Sequence, residues 1–452
     1  MSLLTDLYEL SMGAGYFKSK RQELATFDLF IGKFPKNRSY FVFAGLEQTL
    51  LFLKNMRFSV EQIDYLREQG FKEDYLNYLG SFKFSGDVWA VPEGTIVFPN
   101  EPLIRLTAPI IEAQLVESFL LNTINIQTMI TTKASRVVRA ACGRPVIEFG
   151  LRRTQGLDAG MKAARCSYIA GCDGTSNVLA GMKYGIPIFG TMAHSFVMFF
   201  DREIEAFRAF AETFPDKSLL LIDTFDDIAG AKTAAIVAKE LEKTGHKLNA
   251  VRIDSGDLVE TSQKVRKLLD GKELDYVKIF ASGDLDEYKI EELLNKGAKI
   301  DAFGVGTRMS TSEDSPYIEV IYKLCEKMDK RGKFKPMMKL SKGKATLPGK
   351  KQVFRVKDKK GNFFKDIIAL HNEDCQGEPL LNIVMEKGEL VYNLPTLAEI
   401  RENALENLSR LPDRYRRLKQ RRSYRVEISP LLKKMINELT GELKKIEFEA
   451  LS

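Results

Sequence analysis

Arginine and aspartate lie two positions apart in the segment RIDSGD, as Arg252 and Asp254, at the end of an apolar run. Alternate residues of a β-strand face the same side, so both side chains can point toward one ligand. A fixed guanidinium suits a carboxylate or a phosphate, and an acid beside it suits a metal-bound or hydroxyl-rich ligand. The pair is a candidate binding site, and an internal ion pair is the alternative.

His194 follows another apolar run, IPIFGTM, and is one of three histidines in the 452-residue chain. Asp223 lies at the end of the next run, SLLLIDTF. With both at one rim, Asp223 can accept a hydrogen bond from one ring nitrogen and leave the other to act as a nucleophile or base. We expect His194 to be catalytic, although a single histidine at a strand end is often structural.

Two further segments have the residue types of an anion site. EFGLRR puts the ring of Phe149 near the cation of Arg152, which suits a flat, anionic, aromatic ligand. The segment GVGT at Gly304–Thr307 lacks the third glycine of a dinucleotide fingerprint, and no P-loop sequence occurs. We interpret GVGT as a tight turn whose backbone N–H groups can cradle one phosphate, with ordinary turn glycines as the alternative.

Apolar runs alternate with amphipathic helical stretches between residues 146 and 308, which indicates parallel strands buried on both faces. The predicted strands are VIEFG, SYIAGC, IPIFGTM, SLLLIDTF, AVRIDSGD, VKIFASGD and IDAFGVGT. Each ends in polar or glycine residues: Glu148 and Arg152, Asp173, His194, Asp223 and Asp226, Asp254 and Asp257, Gly283 and Asp284, Gly304 and Gly306.

A (β/α) barrel gathers all its strand ends at one rim, whereas an open sheet has its site at one switch point. Seven polar strand ends favour the barrel, complete or short of one strand. We predict an α/β protein in which residues 126–325 form this barrel. The flanks, residues 1–125 and 326–452, lack the βα rhythm and are predicted to pack together as a second α/β domain.

The composition is that of a soluble globular protein, with 44% hydrophobic residues and 68 basic against 61 acidic residues, a net charge of +7. It excludes disorder, a collagen-like repeat and a small disulfide scaffold. The five cysteines include no C-x-x-C pair. No secretory signal or membrane span is recognisable, so we expect a cytoplasmic protein that does not bind membranes.

The most basic segment, residues 414–425 (RYRRLKQRRSYR), has seven basic residues in twelve. It could bind nucleic acid, form a solvated surface or attract a small polyphosphate. No nucleic-acid-binding motif accompanies it, so we do not expect a nucleic-acid partner.

Taken together, the segments resemble nicotinate phosphoribosyltransferases along essentially the whole chain. The matching segments are LLTDLYELSM, YFVFAGLEQ, EFGLRRTQG, GCDGTSNVLAG, GTMAHSFVMFF, LIDTFDD, RIDSGDL, ASGDLDE, FGVGTR and KLSKGKATLPGKK. The resemblance implies the barrel of the type II phosphoribosyltransferases beside an α/β domain built from both chain ends. It also implies a head-to-tail homodimer with shared active sites.

The implied reaction joins nicotinate to phosphoribosyl pyrophosphate with Mg²⁺, giving nicotinate mononucleotide and pyrophosphate for NAD synthesis. ATP hydrolysis is implied as a coupled, ligase-type step through a phosphohistidine at His194, which Asp223 orients. By the same resemblance Phe149 lies under the pyridine ring and Tyr8 of the partner subunit covers it. The resemblance also implies that Arg152 and Arg252 lie near the phosphate and carboxylate of the ligand and that Asp254 lies at the ribose and the metal. The backbone that cradles the phosphate is implied at Gly283, Gly306 and Thr307.

One position bears on the choice of substrate. Nicotinamide-specific relatives carry an aspartate at the position matching Ser176, where it can accept from an amide. A serine hydroxyl can instead donate to a carboxylate, which favours nicotinate. Asp173 lies nearby in sequence with its direction open. The alternatives are a nicotinamide or quinolinate phosphoribosyltransferase and, more remotely, a basic RNA-binding protein.

Overall fold

The computed structural model describes residues 1–340, 346–419 and 422–449. The chain divides into two compact units, one made of residues 1–129 and 317–452, the other of residues 130–316. The sequence-based domain limits at residues 125 and 325 stay predictions. Parts of two predicted features, residues 341–345 of the KLSKGKATLPGKK loop and residues 420–421 of the basic segment, lie outside the described residues.

The chain before residue 130 mixes short strands and helices. In order these are α1 (Leu7–Lys18), β1 (Leu24–Ile31), β2 (Phe41–Val42), α2 (Leu46–Asn55), α3 (Val60–Glu68), α4 (Glu73–Gly80), β3 (Asp87–Ala90), β4 (Ile96–Val97), β5 (Pro102–Pro109), α5 (Ile110–Leu115) and α6 (Glu117–Ala140), whose last residues belong to the second unit.

In the second unit each strand is followed by one or more helices. The elements are β6 (Val146–Glu148), α7 (Leu157–Ile169), β7 (Gly174–Thr175), α8 (Val178–Tyr184), α9 (His194–Met198), α10 (Glu203–Thr213), β8 (Leu219–Leu221), α11 (Asp227–Lys243), β9 (Ala250–Ile253), α12 (Leu258–Asp270), β10 (Lys278–Ala281), α13 (Glu287–Asn295), β11 (Ala302–Val305) and α14 (Thr307–Ser310).

The six strands of this unit form one sheet in the order β7-β6-β11-β10-β9-β8, and every pair is parallel. Apolar residues of the central strands are buried, such as Ile147, Val251, Ile279 and Phe303. Burial on both faces is what continuous apolar runs predict for parallel strands joined by helices. The sheet therefore fixes all its carboxyl ends along one edge.

The remaining elements return to the first unit. They are β12 (Val320–Met328), β13 (Phe334–Pro336), β14 (Lys351–Lys357), β15 (Phe363–Leu370), β16 (Glu378–Pro379), β17 (Asn382–Glu386), β18 (Glu389–Leu390), α15 (Leu397–Arg410), α16 (Asp413–Arg416), β19 (Val426–Ile428) and α17 (Pro430–Glu449). A seven-stranded sheet in the order β13-β12-β1-β5-β3-β17-β18 combines strands from both chain ends, and β14, β15, β16 and β19 form a second sheet.

The mixed α/β class is confirmed, but two predicted strands are wrong. Residues 167–169 of SYIAGC end α7, because a short buried apolar run fits a helix face as well as a strand. IPIFGTM contributes one parallel bridge, Thr175–Ile188, and within residues 130–316, all of which are described, no strand joins it to β8. The structure thus shows a six-stranded parallel sheet in which no strand pairing joins β7 to β8. In the described part of the chain, no helix combines the length and apolar composition that crossing a membrane requires.

Candidate active site

The loops after β6, β9, β10 and β11 enclose a cavity of about 1230 Å³ within the second unit. Binding sites of parallel sheets form in such loops because the carboxyl ends of the strands share one edge. Among the lining residues are these members of the predicted site: Phe149, Arg152, Arg252, Asp254, Gly283, Gly306 and Thr307. The structure therefore brings together residues that are far apart in sequence.

Arg252 and Asp254 form a fixed pair at the end of β9. Arg252 Nη2 lies 2.6 Å from Asp254 Oδ1, and Arg252 Nε donates to Ser282 Oγ at 2.8 Å. Ser282 Oγ in turn donates to Asp254 Oδ1, which closes a triangle of three side chains. Burial opposes ionisation of Asp254, but the hydrogen bonds from Arg252 and Ser282 outweigh it and lower its pKa. Asp254 is thus held as a carboxylate beside an oriented guanidinium.

An aromatic surface adjoins this pair. The guanidinium carbon of Arg252 lies 5.9 Å from the ring centre of Phe149, which is half-buried and packs 5.7 Å from Phe280. Arg152, Arg153 and Arg308 add further cations to the cavity wall. A half-buried ring next to guanidinium groups can bind a planar ligand that carries a carboxylate or phosphate.

Asp223, which follows β8, binds the residues at the carboxyl end of β9. Its Oδ2 accepts from the backbone N–H of Asp254 at 2.9 Å and from Ser255 Oγ at 2.7 Å. Its Oδ1 is buried and has no hydrogen-bond partner among the described residues. Asp223 therefore positions the Asp254 backbone through one of its two carboxylate oxygens.

The predicted hydrogen bond between His194 and Asp223 is wrong. His194 is the first residue of α9, and its Nδ1 lies 3.2 Å from Thr224 Oγ1. The carboxylate of Asp223 is taken up by the Asp254 backbone and Ser255, and the adjacent side chain, Thr224, makes the contact to His194. His194 still lies near enough to Asp254 to contribute to the lowering of its pKa.

Glycine allows the β9 and β10 loops to approach each other. Gly283 has φ of +91°, and a Cβ placed on it would lie 1.9 Å from the carbonyl oxygen of Asp254. At Gly306 a Cβ would lie 3.0 Å from the carbonyl oxygen of Phe149. The predicted phosphate-cradling glycines are thus positions where two backbones meet at the cavity wall.

Several acidic residues predicted at strand ends form hydrogen bonds that stabilise helix or strand termini. Asp226 and Asp257 cap helices: Asp226 Oδ1 accepts from Ala229 N at 2.7 Å, and Asp257 Oδ1 from Val259 N at 2.9 Å. Asp173 precedes β7, where its Oδ2 accepts from Val146 N at the amino end of β6. It therefore lies at the edge of the sheet opposite the cavity, and its direction, open from sequence, is settled.

Four predicted residues lie outside the cavity lining. The backbone N–H of Ser176 donates to the carbonyl oxygen of Glu148, the last residue of β6, which precedes Phe149. His194 and Asp223 contact the β8 and β9 loops as described above. Tyr8, in α1 of the first unit, is 47% exposed, and burial together with Glu117 and Glu9 raises its pKa.

Ser282 is the main residue that the sequence analysis missed. It follows β10 within the segment ASGDLDE, next to the recognised Gly283, and it bridges Arg252 and Asp254. A small hydroxyl residue at a strand end is common in turns, so its type alone gave no signal.

Three family models match the chain in order. They describe the nicotinate phosphoribosyltransferase N-terminal domain at residues 3–125, the nicotinate phosphoribosyltransferase family at residues 145–364 and the C-terminal domain at residues 371–436. A nicotinate phosphoribosyltransferase of Mycobacterium tuberculosis is 45% identical over 98% of this chain and 94% of its own length. That of Bacillus subtilis is 37% identical over 95% and 93%.

The chain belongs to the nicotinate phosphoribosyltransferase family. The resemblance read from the sequence is therefore confirmed.

Solved structures agree with this family. Human nicotinic acid phosphoribosyltransferase matches with a TM-score of 0.86 and 28% identity, covering 96% of this chain and 99% of that one. A nicotinate-nucleotide pyrophosphorylase from Pyrococcus furiosus matches with a TM-score of 0.74 and 27% identity, over 90% and 95% of the two chains. In this member of the nicotinate phosphoribosyltransferase family, the roles of the individual site residues stay predictions.

The approach of the β9 and β10 loops gives a first prediction. Gly283→Ala should lower the free energy of unfolding by more than about 2 kcal/mol, since the methyl group would collide with the Asp254 carbonyl in addition to the strain of positive φ. Gly256→Ala is the matched control: Gly256 also has positive φ, +75°, but no atom within 4 Å of its Cβ position. It should lose only about 1 kcal/mol. Urea unfolding measures both, and equal losses would contradict the close approach.

Proposed function

We propose that this chain transfers the phosphoribosyl group of phosphoribosyl pyrophosphate to nicotinate, yielding nicotinate mononucleotide and pyrophosphate. The relatives reported above are described as nicotinate phosphoribosyltransferases. The single observation that carries the proposal is the cavity in which the Phe149 ring, the Arg252 guanidinium and the Asp254 carboxylate meet.

The chemistry requires little proton transfer. The pyridine nitrogen attacks the anomeric carbon of the ribose, the bond from that carbon to the pyrophosphate oxygen breaks, and pyrophosphate takes the electron pair. The sugar passes through a state with positive charge, which an ionised Asp254 stabilises. Phe149 orients the pyridine ring, and an arginine on its carboxylate holds the nitrogen in line for attack.

Mg²⁺ is proposed as the metal of the reaction. Mg²⁺ is usually held by one or two carboxylates together with substrate phosphates. Among the described residues no cluster of three or more His, Cys, Asp and Glu could hold a metal ion by itself. Asp254 and the unpartnered Oδ1 of Asp223 fit the shared arrangement. When bound, Mg²⁺ offsets charge on the leaving pyrophosphate.

ATP hydrolysis coupled through His194 is part of the proposal. Thr224 contacts Nδ1, which leaves Nε2 to take the γ-phosphoryl group as ADP departs; water later removes it as phosphate. A phosphorylated ring would add about two negative charges near Arg252. These charges would order the cationic side chains of the cavity for the pyrophosphate substrate.

A homodimer and a closed barrel complete the proposed architecture. Exposed apolar residues on α8, the segment after it and α9 support burial against a second copy: Val178, Leu179, Met182, Ile188, Phe189, Met198 and Phe199. The most exposed of them is Phe199, at 90%. Contiguous apolar surface of this kind usually binds a partner. Tyr8 of the second copy would cover the pyridine ring. The Thr175–Ile188 bridge would continue toward β8 to close the barrel.

The function is tested by mixing the purified protein with nicotinate, phosphoribosyl pyrophosphate and Mg²⁺, with and without ATP. Nicotinate mononucleotide and pyrophosphate should form in equal amounts, faster with ATP. Parallel reactions with nicotinamide and quinolinate test the alternatives within the enzyme class. Product from either at a higher kcat/KM than from nicotinate would favour that alternative, and RNA binding with no product would favour the remote one.

His194→Ala should abolish the stimulation by ATP, because the phosphoryl-accepting nitrogen is gone. Thr224→Val is the control that keeps the ring but removes the contact to Nδ1, and it should reduce the stimulation only in part. Turnover with and without ATP, measured alongside ADP release, distinguishes the variants. Full ATP stimulation in His194→Ala would end the phosphohistidine proposal.

Ser176→Asp should raise the KM for nicotinate about tenfold or more, since a carboxylate near the pyridine carboxylate repels it. Discrimination against nicotinamide should fall at the same time. Ser176→Ala removes the hydroxyl without adding charge and should have a smaller effect. Unchanged selectivity in Ser176→Asp would place the pyridine carboxylate elsewhere.

A further inference from the structure

Glu148, the last residue of β6, is a buried carboxylate that no step described so far uses. It is 1% exposed. Its Oε1 accepts from the backbone N–H of Gly150 at 2.5 Å and from Ser310 Oγ at 2.8 Å, and its Oε2 accepts from Thr175 Oγ1 at 2.6 Å. One side chain thus joins three segments that are distant in sequence.

Each of these segments carries a part of the cavity or of the proposed pyridine site. Gly150 follows Phe149 directly. Thr175 precedes Ser176, whose N–H is bonded to the Glu148 carbonyl. Ser310 ends α14, which begins at Thr307 directly after Gly306. The Glu148 carboxylate therefore links the aromatic end of the site to the phosphate-cradling turn.

The contacts around Glu148 leave little room for movement. A Cβ on Gly150 would lie 1.9 Å from Ser310 Oγ and 2.8 Å from Glu148 Oε1. Thr175 Oγ1 also accepts from the N–H of Asn177 at 3.0 Å, so its proton is directed toward Glu148. All three partners donate, which suits the ionised form of the carboxyl group, because a carboxylate needs no acceptor for a proton of its own.

Keeping Glu148 ionised in this buried position costs free energy of folding. Burial raises the pKa of Glu148, while the hydrogen bonds from Thr175, Ser310 and Gly150 lower it only in part. Among the described residues no basic side chain forms an ion pair with it. A buried carboxylate without a cation is unfavourable for folding, so packing alone does not account for it.

We propose that Glu148 is a positioning residue of the transferase reaction: its carboxylate locks the pyridine-binding segments to the phosphate-binding turn, so that both substrates are held in one alignment. The inference rests on the proposed function and deepens it. Glu148 does not touch the substrates; it acts through Phe149, Ser176 and the Gly306 turn.

Substitution of Glu148 by glutamine distinguishes the contact to Thr175 from the contacts to Gly150 and Ser310. In Glu148→Gln the amide oxygen can still accept from Gly150 and Ser310, but the amide NH₂ faces Thr175 and cannot accept its proton. The Thr175–Ser176 segment should loosen while α14 stays in place. The effect of the glutamine variant should therefore appear at the pyridine end.

The test is steady-state kinetics of four variants with nicotinate and phosphoribosyl pyrophosphate each varied. Glu148→Gln and Thr175→Val should both raise the KM for nicotinate about tenfold, with a smaller change for phosphoribosyl pyrophosphate and kcat within about twofold. Thr175→Ser, which keeps the hydroxyl, should retain wild-type values. Ser310→Ala should raise the KM for phosphoribosyl pyrophosphate more than that for nicotinate.

A double variant and thermal unfolding distinguish positioning from structure. Glu148→Gln with Thr175→Val should be no worse than the poorer single variant, because both remove the same hydrogen bond. The unfolding temperature of Glu148→Gln near neutral pH should stay close to that of the wild type, since the lost hydrogen bond from Thr175 is offset by removal of a charge whose burial raises the pKa of Glu148.

Two results would overturn the inference. In the first, the KM values for nicotinate and phosphoribosyl pyrophosphate are unchanged in both Glu148→Gln and Thr175→Val. In the second, these variants lose folded protein while the KM values of the remaining protein are unchanged, which would indicate a purely structural role. If the wild-type protein itself forms no nicotinate mononucleotide, the proposed function fails first, and the two failures are thereby distinguished.

Discussion

Hydrogen bonding between β9 and β10 in parallel register brings Arg252, Asp254 and Ser282 into contact, and the rest of the cavity is arranged around that contact. The register pairs Phe280 with Arg252 and Ala281 with Ile253, so the residues that follow each strand emerge side by side. Gly283 lets the second loop lie against the Asp254 carbonyl. Asp223 fixes the same backbone from β8. Without this register the charged pair and the aromatic wall would have no common pocket.

The electrostatics follow from the same arrangement. The low pKa of Asp254 keeps a negative charge where a ribose would become positive, and the fixed guanidinium of Arg252 offers positive charge to a phosphate or carboxylate. Because both groups are oriented before a ligand arrives, little reorganisation is needed during the reaction. Glu148 contributes to the same preorganisation from outside the cavity, because its buried carboxylate holds the backbone next to Phe149.

Sequence patterns predicted the parallel strands and most of the cavity because both depend on local features: apolar runs, and polar or glycine residues directly after them. The pattern could not separate ligands from helix caps, since Asp226 and Asp257 have the residue type and position that serve either task. Asp173 was placed at the wrong edge because the run SYIAGC ends a helix instead of forming a strand. The partner of His194 depends on side-chain direction at a single position, which spacing does not determine.

A crystal structure of the protein with nicotinate mononucleotide tests the central claim most directly. The account predicts the pyridine ring stacked on Phe149, the ribose beside Asp254 and the phosphate at the turns of Gly283 or Gly306. A nucleotide bound away from the β6, β9, β10 and β11 loops would contradict it, as would a ring with no contact to Phe149.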